Sequence, residues 1–257
     1  MKSKIKTLVL ALAGLSAFGV AGSAFAVCDA TGLAAWSAPS VGGGDSAVSV
    51  VTGGYDGSSC RMQVNLGDNG TAHGQVRDDT PNNETHYRAQ FIFDPVNLSG
   101  ANGTNQAAIF LANAPGFFKN RLALVKITYT GSGAGTKRIA IIGACDNQPS
   151  LNQCQAPVDL PNQAGPNRIE IDLTVGGPGV GALRYWVNNA STTGLTDASG
   201  IAIPITGGNL GWVGVNTIFM GMTSPSLNFR NVAAGNNVDK LVFFDQFDSR
   251  RQTFIGH

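Results

Sequence analysis

Apolar and polar residues alternate along this chain in short runs closed by Gly, Pro, Asn or Asp, the pattern of half-buried strands rather than helices. Beyond the first 26 residues no helical period is sustained, and only a turn or two is expected near Ala30 to Trp36. The pattern predicts strands at 46–52, 60–66, 71–77, 85–94, 107–111, 121–130, 136–142, 168–174, 181–188, 201–206, 212–222 and 238–247. Asp68-Asn69-Gly70 predicts a hairpin, because Asn-Gly supplies the positive φ angles of a type I′ turn. Gly131 to Gly135 and Gly176 to Gly179 punctuate two further strand pairs. Short strands at regular turn spacing, without a repeat or a linker, predict an all-β antiparallel architecture in one domain. An outer-membrane barrel is the competing reading, but the chain ends in Gly256-His257 rather than a terminal aromatic strand.

The first 26 residues change the picture of the compartment. Lys2, Lys4 and Lys6 precede an apolar run from Leu8 to Val20, and Ala24-Phe25-Ala26 is a small-x-small cleavage site. A cleaved export signal over 1–26 and a domain over 27–257 are therefore expected, with a secreted or periplasmic destination and no membrane span. In that setting Cys28, Cys60, Cys145 and Cys154 read as two disulfides. The local pairing, Cys28 with Cys60 and Cys145 with Cys154, is favoured among three connectivities. A zinc site is disfavoured, since no spacing is Cys-x-x-Cys and the histidines do not cluster with the cysteines.

Charged residues make up 13% of the 257, and only Glu84 and Glu170 are glutamates. Such a chain is no coiled coil or helix bundle, and its 43% hydrophobic content excludes disorder. Loss of the three leading lysines leaves 14 basic against 16 acidic residues, which removes any electrostatic footprint for nucleic acid.

His86-Tyr87-Arg88-Ala89-Gln90-Phe91-Ile92-Phe93-Asp94-Pro95 and Phe244-Asp245-Gln246-Phe247-Asp248-Ser249-Arg250-Arg251 resemble a family of exported bacterial proteins of unknown role. The shape resembles laminin-G-like and concanavalin-like jelly rolls. Leu183-Arg184-Tyr185-Trp186-Val187-Asn188 is similar to a strand of such domains, with Asn188-Asn189 where their pattern has Asp-Gly. The resemblance implies an antiparallel two-sheet jelly-roll sandwich; its motifs are strand patterns, not catalytic signatures.

Several constellations could carry chemistry. Glu170 and Asp172 are two apart on one strand and therefore share a face, with Ile169, Ile171 and Leu173 turned to the core. Concanavalin-like glycosidases carry a Glu-x-Asp-x-(x)-Glu strand, but Thr174 and Val175 stand where the last Glu is needed as general acid/base. The plainer reading is a polar outer face with Arg168 as a neighbouring counter-charge. Arg184, Trp186 and Asn188 alternate with core positions and put a guanidinium, an indole and an amide together, a set that binds sugars. His86, Arg88 and Gln90 do the same on their own strand, and a groove of Arg88, Gln90, Arg184, Trp186 and Asn188 results. The plainer role for Trp186, and the one favoured, is structural, beneath a loop. Asp78, Asp79 and Glu84 gather oxygen ligands suited to Ca²⁺, although turns favour such residues for local reasons. Asp245, Asp248, Arg250 and Arg251 suit a salt-bridged strand end, with Asp245 partly buried against an arginine. Gly131 to Thr136 lacks the ending of a phosphate loop, and nothing places His73 or His86 beside Ser46 as in a serine hydrolase.

The favoured reading is an exported, disulfide-stabilised, monomeric sandwich that binds extracellular or cell-surface glycan without catalysis and needs no cofactor, with Ca²⁺ as the one candidate ion. The alternatives are a glycan hydrolase or lyase using Glu170 and Asp172, and a structural surface or matrix protein.

Overall fold

A computed structural model describes residues 28, 33–42, 46–66, 73–98, 106–115, 123–131, 135–145, 153–223, 225, 241–250 and 253–256. The expected export signal, the Asn69-Gly70 turn, most of the 131–135 turn and Arg251 lie outside the described residues.

The strands are β1 (Ala38–Gly42), β2 (Ala47–Thr52), β3 (Cys60–Asn65), β4 (His73–Asp78), β5 (His86–Asp94), β6 (Gln106–Asn113), β7 (Val125–Gly131), β8 (Lys137–Ala144), β9 (Gln153–Asp159), β10 (Asn167–Thr174), β11 (Ala182–Asn189), β12 (Ile201–Ile203), β13 (Thr217–Met222) and β14 (Leu241–Arg250). They form two antiparallel seven-stranded sheets. The first runs β1-β4-β13-β6-β7-β8-β9 and the second β12-β11-β10-β5-β14-β3-β2. The chain passes repeatedly between sheets, so β5, β10 and β14 lie side by side although far apart in sequence. The expected two-sheet jelly-roll sandwich is the observed architecture. Among the described residues the strands form two open sheets rather than one closed barrel, and no described helix is long and apolar enough to cross a membrane.

The core lies between the sheets. Tyr87, Ala89, Phe91 and Phe93 of β5, Ile169, Ile171 and Leu173 of β10, and Leu183 of β11 face Phe110, Ile127, Tyr129, Ile139 and Ile141 of the first sheet, all buried. Phe91 stacks on Phe110 with centroids 5.4 Å apart, and Phe93 meets Tyr129 edge-on at 6.0 Å. A fully buried ring of this kind contributes roughly 1.5–3 kcal/mol through burial, which fixes the register of β5 and β10.

Where strand prediction fails, the causes are local. β1 and β9 are not among the expected strands; each carries a proline, Pro39 and Pro157, and both are sheet edges, where a missing N–H costs little. The expected strand 212–222 begins only at Thr217, since Leu210–Trp212 forms a 3₁₀ turn. In β14 the pairing with β5 shifts between Asp245 and Asp248, and Gln246 adopts φ +48, which marks a bulge.

Both expected disulfides are present. Cys28–Cys60 ties the leading segment to the start of β3, and Cys145–Cys154 joins the ends of β8 and β9.

Candidate functional site on the covered face of the second sheet

Alternation that buries Ile169, Ile171 and Leu173 turns Arg168, Glu170 and Asp172 to the opposite face of the second sheet. The antiparallel register then assembles rows across β11, β10, β5 and β14. Trp186 lies opposite Glu170, which lies opposite Gln90, which lies opposite Asp248. The next row is Arg184, Asp172, Arg88 and Arg250. Arg88, Glu170, Asp172 and Trp186 thus share one face, the arrangement that a site here requires.

This face is covered. Trp186 is only 3% exposed and Glu170 only 2%, while Arg88 and Arg168 are each 4% exposed. Three segments that the sequence pattern did not single out provide the cover. The 196–200 turn brings Asp197 onto Arg88, whose Nη2 donates to Asp197 Oδ1 at 2.6 Å and to Asp172 Oδ2 at 2.7 Å. Arg184 donates to the Asp197 carbonyl, and Trp186 Nε1 donates to the Thr196 carbonyl at 3.2 Å. Gly200 allows this approach, since a Cβ there would collide with the Trp186 indole. The 53–59 loop brings Asp56 to Arg168, with Nη2 to Oδ2 at 2.5 Å, and Tyr55 onto Asp94 and Arg61. Residues 253–256 lie over Glu170: the Ile255 and Gly256 N–H groups each donate to its carboxylate at 3.1 Å. Gln90 Nε2 donates to the Gly256 carbonyl at 2.8 Å, and Phe254 sits 5.2 Å from the Trp186 ring.

The electrostatics follow from the cover. Burial pushes the Glu170 carboxyl above its ordinary value, against the lowering effect of the two backbone donors. Burial alone would lower Arg88, but its bonds to Asp172 and Asp197 outweigh that, so it stays protonated. The Arg88 hydrogen bond holds Asp197 below the usual carboxylate range. His86 Nε2 lies 2.8 Å from Asp172 Oδ1, so one carboxylate orients both a histidine and an arginine. Buried charges need such partners. Even so, the Nε atoms of Arg88 and Arg168 have no hydrogen-bond partner among the described residues.

Several sequence expectations are corrected. Trp186 is not an open stacking platform, because Phe254 and the 196–200 turn enclose it. Asn188 is half-buried at the sheet end, opposite Arg168. Asp245 is held by the backbone N–H groups of Tyr55 (2.6 Å) and Gln246 (2.7 Å) and by Ser58, with no direct arginine bond among the described residues. The calcium candidates do not converge: Asp78 accepts from the Thr80 N–H, Asp79 pairs with Arg77 at 2.9 Å, and Glu84 forms a backbone bridge to Val215. Among the described residues no group of three or more His, Cys, Asp or Glu could hold a metal ion.

No family model matches this chain, and no curated protein matches it. Solved structures do. An endo-β-1,4-glucuronan lyase from the fungus Trichoderma reesei matches with a TM-score of 0.58 at 11% identity, covering 84% of this chain and 91% of that one. The cellulose induced protein Cip1 matches with a TM-score of 0.50 at 13% identity, over the same shares of both chains. At these identities the likeness establishes the fold. The expectation of a non-catalytic glycan-binding module is nevertheless overturned, because the structure with the TM-score of 0.58 is that of a glycan lyase. The sequence argument against catalysis weighed only the missing carboxylate of a hydrolase, a group that elimination does not require.

Proposed function

We propose that this protein is a polysaccharide lyase that cleaves a uronic-acid-containing glycan by β-elimination at the covered face of the second sheet. The observation that supports it most is the assembly of Arg88, Arg168 and Arg184 with Gln90, Glu170, Asp172 and His86 on one face of a sandwich similar to a glucuronan lyase. Elimination needs a cation or amide near the uronate carboxylate to acidify the neighbouring C–H, a base to take that proton, and a donor to the departing glycosidic oxygen. Arg184 and Arg250, whose side chains keep contact with solvent, supply the positive charge, and Gln90 supplies the amide. Glu170 is the proton-transfer group, because burial holds its carboxyl closer to neutral pH than an ordinary glutamate. His86, oriented by Asp172, is the second. Asp172 itself positions Arg88 and His86 rather than moving a proton. Hydrolysis is disfavoured for the reason visible in sequence: Thr174 and Val175 follow the Glu-x-Asp pair, and the general acid/base of a retaining hydrolase is missing.

The test is incubation with glucuronan, other polyuronides and a neutral glucan, following the ultraviolet absorbance of the new double bond conjugated to the carboxylate. Unsaturated product is expected from a polyuronide and none from the neutral glucan. Glu170→Gln should lower the rate by roughly 10²–10⁴-fold. No unsaturated product from any polyuronide, with the chain intact or shortened after Arg250, overturns the proposal.

A further inference from the structure

The segment Phe254–Gly256 makes three kinds of contact with the candidate site that each have a counterpart in sugar recognition, and a fourth that tethers it. Phe254 places its ring 5.2 Å from Trp186, where a pyranose ring would stack. The adjacent Ile255 and Gly256 N–H groups give one donor to each oxygen of Glu170, as two neighbouring hydroxyls would. The Gly256 carbonyl takes the Gln90 amide, as a ring or carboxylate oxygen would. Arg250 Nη1 donates to the Phe254 carbonyl at 3.3 Å, which ties the segment to the end of β14. The segment carries no charged side chain and lies against two arginines, with the Arg88 guanidinium 5.6 Å from the Phe254 ring.

We infer that Phe254–Gly256 is an intramolecular occupant of a sugar subsite formed by Trp186, Glu170 and Gln90, and that glycan binds there only when the segment leaves. The subsite takes a pyranose that offers two adjacent hydroxyls to Glu170 and stacks a C–H face on Trp186, next to the arginines that would hold a uronate carboxylate. This rests on the proposed lyase reading for the glycan class, but not for the occupancy itself. Among the described residues the segment is held by hydrogen bonds and a ring contact rather than by strand pairing, in contrast to the strands beneath. An occluded state that is favoured tenfold lowers apparent glycan affinity about tenfold, because ligand binds only the open fraction.

The experiment compares the full chain, a chain ending at Arg250, and the full chain carrying Ile255→Pro. Proline removes the N–H that reaches Glu170 without altering the sheet. Oligoglucuronides are titrated calorimetrically, and cleavage of the polymer is followed in parallel. Both altered chains should bind oligoglucuronide about tenfold more tightly than the full chain. A synthetic peptide of residues 251–257 should compete with glycan for the shortened chain, but not after Glu170→Gln. If affinity rises on shortening while neither chain cleaves, the inference stands and the lyase reading falls. If the full chain cleaves polyuronide and neither shortening nor Ile255→Pro raises affinity or rate, the lyase reading stands and the inference falls. Should the shortened chain lose its cooperative unfolding, Ile255→Pro decides alone: an unchanged affinity in that variant overturns the inference.

Discussion

The outward faces of the two sheets have the same alternation and opposite fates. On the first sheet Lys126 of β7, Arg138 and Ile142 of β8, and Gln155 and Asp159 of β9 point away from the core and remain half-buried or exposed. The contact of Arg138 with Asp159 at 2.6 Å lies in solvent. On the second sheet Arg88, Arg168 and Glu170 occupy equivalent positions and are buried, each fitted with partners from a loop distant in sequence. A polar residue on a solvated face needs no partner, whereas one beneath a cover must have one or change its charge. The difference therefore lies in what covers the sheet, not in the strands, and it marks the second face as the place where chemistry is concentrated.

Arginines on the two faces should differ most in what their removal costs. Arg88→Ala leaves the buried Asp172 with His86 alone, while Asp197, exposed to solvent, keeps Arg184; removing one member of the buried Arg88–Asp172 pair costs up to about 3–5 kcal/mol. Arg138→Ala on the first sheet should leave a urea denaturation curve unchanged, since its ion pair is solvated. Equal effects would mean that the cover contributes no desolvation. In the same series Arg168→Ala should resemble Arg88→Ala, because it removes the buried guanidinium that Asp56 and Gln90 share.

The strands carrying that difference were legible in the sequence, and the cover was not. Period-two alternation placed Glu170 and Asp172 on one face, Arg184 and Trp186 on the next strand and Arg88 and Gln90 on a third, and the register joins these three strands. Nothing in alternation shows which of two outer faces a loop will cross. Asp197, Asp56 and Phe254 reach the site over 13 to 112 residues of sequence separation, and their pairing depends on tertiary closure alone. The surplus of buried arginine on short strands was the one available signal, since guanidinium groups that lack solvent need carboxylates from elsewhere. Edge strands β1 and β9 were missed for a related reason: each holds a proline, which only an edge position tolerates, and that position is set by the tertiary fold.

The two disulfides also differ between the sheets. Cys28–Cys60 closes a loop of 32 residues onto the second sheet, and Cys145–Cys154 closes one of 9 on the first. On chain entropy alone the former stabilises by about 4 kcal/mol and the latter by about 2.5 kcal/mol. Paired Cys→Ser exchanges, compared by chemical denaturation, should follow that order. A larger loss from the shorter loop would shift the weight of stabilisation from the unfolded chain to the β8–β9 edge.

A smaller effect is expected at Gly200, whose missing Cβ lets the 196–200 turn lie on the Trp186 indole. Gly200→Ala forces the ring or the turn to move, and overpacking of this kind costs roughly 1–3 kcal/mol. Because Trp186 Nε1 is bound to Thr196, the shift should also alter the near-ultraviolet circular dichroism. A neutral substitution would show that the turn rests on Asp197 and Arg88 alone.

The subtlest difference between the faces is the sign of their pH dependence. Burial raises Glu170 above its ordinary value of 4.5, so the native chain keeps that proton to higher pH than the unfolded chain does. Its contribution to stability is fully present below the ordinary carboxylate value and is lost as pH rises through the raised one. On the first sheet the Arg138 hydrogen bond lowers Asp159 below its ordinary value of 3.8, so its contribution is present above that value and is lost as pH falls. Asp245, raised by burial beside the second sheet, acts in the same sense as Glu170 and remains in both variants as a common background. Urea midpoints of the parent chain, Glu170→Gln and Asp159→Asn, measured across the carboxylate range and above it, separate the two. The gap between parent and Glu170→Gln should move against the parent as pH rises, and the gap between parent and Asp159→Asn should move in its favour. Added salt should erase the second slope and spare most of the first, because ions screen an exposed pair but do not reach a covered carboxyl. Two slopes of the same sign, or a Glu170 slope that salt abolishes, would place both faces in solvent and remove the distinction on which the site rests.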